Sequence, residues 1–136
     1  MAVLDANVLI RLITQDHDDH SRRAYELFER IELGQQPVFL PEGILVEVVQ
    51  VLSSKRLFNR ERRNIRDRLE PIIRMPQIEM DNKRTILRAL DLYAELGRLS
   101  FPDALCVMHA QRFDDRAVIT FDRGFRDLSE ATRLVP

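Results

Sequence analysis

The sequence has little of what disulfide-rich, zinc-thiolate and membrane proteins require. Its 136 residues include one cysteine, Cys106, so the chain forms neither an internal disulfide nor a zinc cluster of several thiolates. No run approaches the roughly 20 consecutive apolar residues that cross a bilayer, and the apolar start lacks the basic flank and cleavage site of a secretory signal. We therefore expect a cytoplasmic protein with no membrane segment, in which Cys106 packs in the core.

Net charge is also small. The formal charge is −1, from 21 basic and 22 acidic residues, so the total predicts no attraction to nucleic acid or to a membrane. The positive charge is nearly all arginine and is concentrated between Lys55 and Arg74. Arginine suits phosphate because its planar fork donates two parallel hydrogen bonds. A solvated helix face explains the cluster at least as well, so the cluster alone assigns no ligand.

The length predicts one domain over residues 1–136. Apolar spacing predicts strands that alternate with helices. Strands are predicted at residues 3–4, 37–40, 117–119 and 134–135. Helices are predicted near residues 8–13, 21–33, 41–52, 65–73, 83–96 and 102–110, with Pro71 kinking the fourth or marking a boundary. Because parallel strands need a crossover connection, this alternation predicts an α/β fold with a mostly parallel sheet.

Four acids each border or interrupt an apolar element. Asp5 ends the first strand in VLDAN, and Asp122 follows a late strand in VITFD. In an open parallel sheet both project from the carboxyl edge, where ligands bind. Glu47 borders the apolar stripe of PEGILVEVVQVL, and Asp103 lies in the first turn of the helix in LSFPDALCV. The four acids together form the candidate site.

Each acid also has a purely structural explanation. Asp5 or Asn7 caps a helix in the simplest interpretation, and Ser100 with Asp103 resembles a capping box. Asp122 suits a turn before Arg123 and Gly124, and Glu47 can pair with an arginine. For any single acid the structural explanation is at least as good as the functional one. For all four acids together, a shared functional site explains the pattern better.

If the four carboxylates converge, electrostatics requires a proton or a cation among them. Two carboxylates about 4 Å apart repel by roughly 4 kcal/mol at an effective dielectric constant near 20. Several such pairs exceed the stability margin of a typical domain. A set of oxygen ligands favours Mg²⁺ or Mn²⁺ over zinc. Such an ion activates water and aligns attacking and leaving groups, which is the chemistry of phosphodiester hydrolysis.

At these four segments the sequence resembles the PIN-domain family, and within it the small VapC-type toxin ribonucleases of toxin–antitoxin pairs. The resemblance covers essentially the whole chain. The opening VLDANVLI resembles the family's first motif and LPEGILVEVVQVL its second, whose acid is Glu47 rather than Glu42. The segments FPDALCVMHA and VITFDRGF resemble the third and fourth. Each motif is weak alone, but the four in this order are specific.

The resemblance implies a three-layer PIN-like fold, with a central, mostly parallel sheet of four to five strands flanked by helices. It implies that Asp5 and Asp103 are the principal ligands of Mg²⁺ or Mn²⁺, and that Glu47 and Asp122 complete the acidic pocket. Asn7 and Thr120 would be supporting polar residues. The implied activity is metal-dependent cleavage of RNA, leaving a 5′-phosphate and a 3′-hydroxyl. A VapB-type antitoxin partner and a homodimer are also implied.

An acidic pocket repels RNA unless positive charge lies beside it. We therefore expect some arginines of the basic cluster to contact RNA, although antitoxin or solvent are alternatives. The candidates are Arg56, Arg60, Arg62, Arg63 and Arg66. The histidines His17, His20 and His109 are not expected to act as catalytic bases.

Two other functions remain open from the residues alone. An aspartate-nucleophile phosphatase also begins with an acid after its first parallel strand, but its usual second Asp is replaced here by Asn7. Such an enzyme also needs a lysine beside the phosphoryl group, and neither Lys55 nor Lys83 lies in a suitable loop. A non-catalytic PIN-like module that binds RNA or protein is the other alternative, and the presence of all four acids argues against it.

Overall fold

All strand pairings in the fold are parallel. The computed structural model describes residues 1–136, which divide into two compact units, residues 1–83 and residues 84–136. Five short strands and six helices alternate along the chain. The predicted α/β class with parallel strands and flanking helices is thereby confirmed, while the single-domain organisation stays a prediction.

The first unit contains a three-stranded sheet. Its strands are β1 (Ala2–Val3), β2 (Val38–Phe39) and β3 (Ile78–Glu79). They lie in the order β1-β2-β3, and Val38 pairs with Ala2 on one side and Ile78 on the other. Four helices connect and follow the strands: α1 (Ala6–Thr14), α2 (Asp18–Glu32), α3 (Glu42–Ser53) and α4 (Arg62–Arg74).

The helices of this unit form because their apolar residues recur at helical spacing. In α1 the buried side chains are Leu9, Ile10 and Ile13, which lie on one face. The three residues between α1 and α2 turn the chain sharply, with Gln15 in the left-handed region at φ 53°. The Ser21 hydroxyl then donates to the Arg11 carbonyl oxygen at 2.9 Å, which ties the start of α2 to the end of α1.

The second unit contains a two-stranded parallel sheet and two helices. Its elements are α5 (Lys83–Glu95, with Lys83 belonging to the first unit), α6 (Phe101–Ala110), β4 (Ala117–Ile119) and β5 (Thr132–Leu134). Ala117 pairs with Thr132 and Ile119 with Leu134. The buried Phe101 ring meets the Tyr93 ring edge-on at 5.9 Å, which fixes the first turn of α6 against α5.

Several details differ from the prediction. The strand β3 was not predicted, because two residues carry too little alternation to be recognised. The helix α4 continues through Pro71 to Arg74, so the proline is not a boundary. Cys106 is exposed, and its predicted core position is wrong. It lies between Leu105 and Val107, and those two residues are buried instead.

No helix combines the length and the apolar character that spanning a membrane requires.

Candidate functional site

Asp5 lies where β1 ends and α1 begins. It occupies the N-cap position with extended backbone, yet its side chain accepts no capping hydrogen bond. An Asp at this position ordinarily accepts from the free amides of the first turn. The helix-cap explanation of Asp5 is therefore wrong, and its exposed carboxylate is available to a ligand.

A cleft of about 730 Å³ opens beside Asp5 within the first unit. This α1–α2 cleft is formed by one face of each of the two helices. Its lining residues are Asp5, Asn7, Val8, Arg11, His20, Arg23, Ala24, Glu26, Leu27 and Arg30. The volume lies within the range of roughly 300–1,000 Å³ that is typical of ligand sites.

Three arginines line the α1–α2 cleft, and the sequence analysis did not single them out. Arg11 comes from α1, and Arg23 and Arg30 come from α2. A usable signal existed: Arg23 and Arg30 are separated by seven residues, which places them on one helix face two turns apart. Two acids, Asp5 and Glu26, share the cleft.

Arg11 is held at the end of the cleft near the connection between the helices. Its Nη1 donates to both carboxylate oxygens of Asp16 at 2.7 Å, and the Thr14 hydroxyl donates to the same carboxylate at 2.7 Å. Its Nε is buried without a hydrogen-bond partner. An unpaired buried donor is unfavourable by about 1–3 kcal/mol, which offsets part of the stabilisation from the Arg11–Asp16 pair.

The Arg11–Asp16 pair predicts a small acid-dependent loss of stability. Hydrogen bonds from Arg11 and then Thr14 hold the pKa of Asp16 below its ordinary value of 3.8. The pair therefore stabilises the fold fully above that pH, and the stabilisation is lost as the pH falls through the lower folded-state pKa. Because both groups are partly exposed, Asp16→Asn should cost under about 1 kcal/mol at pH 7.

Urea denaturation of wild type and Asp16→Asn near pH 7 and at a pH well below 3.8 measures this difference. The two proteins should converge in free energy of unfolding at the acidic pH. An equal difference at both pH values would contradict the assignment of the stabilisation to the ionised pair.

Glu47 lies on the exposed face of α3, opposite the buried Leu45, Val48 and Val49. It takes part in none of the ion pairs of the structure. Its pairing with an arginine, one explanation open from the sequence, is therefore not found. The carboxylate is available to solvent and ligand.

Asp103 forms the capping box that its sequence context suggested. The Asp103 backbone N–H donates to Ser100 Oγ at 3.2 Å, and the Ser100 backbone N–H donates to Asp103 Oδ2 at 3.1 Å. The cap fixes the side chain through one oxygen and leaves Oδ1 outside the box. Asp103 is half-buried, so the capping role and a ligand-binding role are compatible.

Asp122 is similarly fixed by its own turn. Its Oδ1 accepts from the Gly124 N–H at 2.7 Å, and its backbone N–H donates to Thr120 Oγ1 at 2.9 Å. A Cβ at position 124 would lie 3.1 Å from Asp122 Oδ1 and 3.3 Å from the Arg98 carbonyl oxygen. A side chain at position 124 would therefore press on this carboxylate by a few tenths of an ångström, and the Thr120 hydroxyl supports the turn.

The predicted RNA-binding arginines form several internal contacts. Arg60 Nη1 donates to Asn64 Oδ1 at 3.1 Å, and Arg66 Nε donates to Asp67 Oδ1 at 3.1 Å. Arg62 also has a partner within the chain, whereas Arg56 and Arg63 are exposed. Their contact with RNA stays a prediction.

The histidines stay outside any catalytic assignment. The His17 and His20 rings stack at 4.0 Å, and the His20 N–H donates to His17 Nδ1 at 3.0 Å, where it helps to begin α2. His109 lies in the last turn of α6, with its Nδ1 3.2 Å from Arg112 Nη1. His20 nevertheless lines the α1–α2 cleft.

The donor chemistry of the four acids suits a hard divalent cation, because all are carboxylates and no thiolate accompanies them. Asp5 and Glu47 belong to the first unit, and Asp103 and Asp122 belong to the second. The structure brings no three His, Cys, Asp or Glu side chains into an arrangement that could hold a metal ion. The fit of these residues to such an ion thus rests on their ligand chemistry.

Comparison with known proteins decides the family. The PIN domain family model matches residues 2–131, nearly the whole chain. The chain belongs to the PIN domain family. It is also 25% identical over 132 residues to a VapC ribonuclease of Aquifex aeolicus (strain VF5), a match that covers 97% of this chain and 95% of the relative. The PIN family match includes all four motif segments, so the resemblance inferred from the sequence is confirmed.

Proposed function

We propose that this PIN domain is a metal-dependent ribonuclease and the toxin of a toxin–antitoxin pair. The observation that carries the proposal is Asp5, an exposed N-cap carboxylate that caps nothing and lies at the carboxyl end of β1. The similarity to a VapC ribonuclease over nearly the full length of both chains supports RNA as the substrate.

The four carboxylates are the proposed metal ligands. Asp5 and Asp103 would be the principal ligands of Mg²⁺ or Mn²⁺, with Glu47 and Asp122 completing the set directly or through water. When bound, such an ion supplies charge stabilisation at a phosphodiester oxygen and acidifies a coordinated water. The products are a 5′-phosphate and a 3′-hydroxyl.

The chain's own groups orient these carboxylates. Ser100 holds Asp103 through the capping box, while Thr120 and Gly124 hold the turn at Asp122. Arg133 of β5 steadies the same turn, because its Nε donates to the Asp122 carbonyl oxygen and its Nη2 to that of Phe121, both at 3.0 Å. Asn7 lines the cleft beside Asp5 and is proposed to orient Asp5 or its water.

An RNA-cleavage assay tests the proposal directly. Purified protein should cleave single-stranded or loop RNA with Mg²⁺ or Mn²⁺ and should lose that activity in EDTA. End-group analysis should give 5′-phosphates. A nuclease that is too specific to cleave arbitrary RNA should still arrest cell growth when it is expressed, and a co-expressed VapB-type antitoxin should relieve that arrest. Cleavage that is unaffected by EDTA would contradict the metal mechanism, and absence of both cleavage and growth arrest would contradict the function.

The basic cluster provides a further prediction about RNA binding. Replacing Arg62, Arg63 and Arg66 with Gln should weaken binding and flatten its salt dependence. Each lost phosphate contact should reduce the magnitude of the slope of log K against log salt by about 0.7 for a single strand. Titration of labelled RNA at several salt concentrations in EDTA measures both effects. An unchanged affinity and slope would show that these arginines face the antitoxin or solvent.

The proposal also includes two interactions with other protein chains. A VapB-type antitoxin would inhibit the nuclease, and two copies of this chain would form a homodimer. Light scattering on the isolated protein gives the mass in solution, and a mass equal to that of the 16.0 kDa monomer at all concentrations would contradict the dimer.

A further inference from the structure

The α1–α2 cleft has the features of a binding surface, and its α2 side lies outside the four motifs. All its lining residues belong to the first unit, and Asp5 is one of them. Arg23 and Arg30 project from one face of α2, two helical turns or about 10 Å apart. The cleft therefore suits a ligand that carries negative charge at more than one point along its length.

The two α2 arginines are available for such a ligand. Arg23 makes one long ion pair, 3.6 Å from Asp19, with both side chains more than half exposed. Arg30 lies in the last turn of α2 and takes part in none of the structure's ion pairs. Exposed pairs of this kind are weak and readily exchanged for another anion.

Apolar side chains lie between the arginines. Val8, Ala24 and Leu27 line this part of the cleft together with Glu26, whose carboxylate is paired with Arg22 at 2.9 Å. An alternation of guanidinium groups with apolar side chains suits a nucleic acid strand, since phosphates meet the charges while sugars and bases meet the apolar surface.

We propose that the α1–α2 cleft binds the RNA strand next to the cleaved bond, with Arg23 and Arg30 contacting its phosphates and Arg11 closing the far end. The assignment to RNA rests on the proposed function. Any strand that is cut at Asp5 must continue beyond it, and the cleft is lined by that same residue. An acidic protein segment is the competing occupant, but nothing in the apolar lining requires one.

Binding without cleavage tests this proposal. The probe is a short fluorescein-labelled oligouridylate, titrated in EDTA and followed by fluorescence anisotropy. The double variant Arg23→Gln/Arg30→Gln should bind about tenfold or more weakly, and its salt slope should fall in magnitude by about 1.4, or 0.7 for each lost contact. Both side chains are exposed, so the variant should fold normally, which circular dichroism verifies.

A charge-matched control separates local contacts from overall charge. The variant Arg84→Gln/Arg112→Gln removes the same number of charges from exposed arginines that neither line the cleft nor contact a residue that lines it. It should bind the oligouridylate like the wild type. If the two double variants weaken oligouridylate binding equally, the effect comes from net charge alone, and the proposal is overturned.

The possible results distinguish failure of the cleft assignment from failure of the proposed nuclease function. Wild-type cleavage of RNA together with unchanged binding and cleavage by Arg23→Gln/Arg30→Gln would overturn the cleft assignment and leave the nuclease intact. Cleft-dependent binding without any cleavage would support the assignment and count against the nuclease. Binding of polyglutamate that requires the two arginines, with oligouridylate binding unaffected, would overturn the proposal in favour of a protein partner.

Discussion

Asp103→Asn should lower metal-dependent RNA cleavage by about 10²–10³-fold while leaving the protein folded, if the proposed function holds. Asparagine keeps the shape of the side chain, and its carbonyl oxygen can still accept the Ser100 N–H of the capping box. The substitution removes the negative charge that a cation requires. Cleavage rates at matched Mg²⁺ concentrations and thermal melts measure the two effects separately.

Ser100→Ala is the matched control for Asp103→Asn. It removes the hydroxyl that accepts the Asp103 N–H and should destabilise the fold by about 1 kcal/mol. It leaves the Asp103 carboxylate in place, so cleavage should stay close to that of the wild type below the melting temperature. Comparable loss of cleavage in both variants would mean that Asp103 acts only through the cap.

Asp5→Asn should give a similar loss of cleavage, and here the loss cannot be attributed to a broken helix cap. Because the Asp5 side chain makes no capping hydrogen bond, the substitution should leave stability nearly unchanged. A folded Asp5→Asn protein with wild-type cleavage would remove the central residue of the proposed function.

Phe101→Ala should destabilise the protein by about 3–5 kcal/mol, the cost of emptying a large buried aromatic site. Phe101 is 2% exposed and packs edge-on against Tyr93 at the first turn of α6. A loss of this size is a large part of the 5–15 kcal/mol that stabilises a typical domain. Urea denaturation followed by circular dichroism measures it.

Phe113→Ala is the corresponding control, because the same atoms are removed from a residue that is 63% exposed. Surface substitutions usually change stability by less than about 0.5 kcal/mol. Similar destabilisation by the two substitutions would contradict the assignment of Phe101 to the core.

The sequence predicted the helices well and the strands less completely. Of the α2 stripe predicted at Ala24, Leu27, Phe28 and Ile31, all but the half-buried Leu27 are buried, since a repeated 3.6-residue period over several turns is a strong signal. The strand β3 has two residues, Ile78 and Glu79, and is defined by its pairing with β2 rather than by local pattern. Its existence depends on tertiary contacts that the sequence does not display.

The sequence predicted four candidate acids, which stay predictions, and it did not predict the cleft. Asp5, Glu47, Asp103 and Asp122 were visible because each disturbs an apolar pattern. Arg23 and Arg30 disturb no pattern, since charged residues on an exposed helix face are ordinary. They acquire significance only when α2 packs beside α1 and places them along a cleft that Asp5 also lines.

The turns that hold Asp103 and Asp122 have an entropic consequence. Each of these side chains is fixed by a backbone N–H of its own turn, so its rotamer freedom is lost when the chain folds. Asp5 and Glu47 are exposed and lack such a constraint, and they lose their freedom only when a ligand arrives. In the proposed metal site the ordering cost of binding would therefore fall on the two acids of the first unit, and mutations that stiffen those two side chains in the bound conformation should raise affinity.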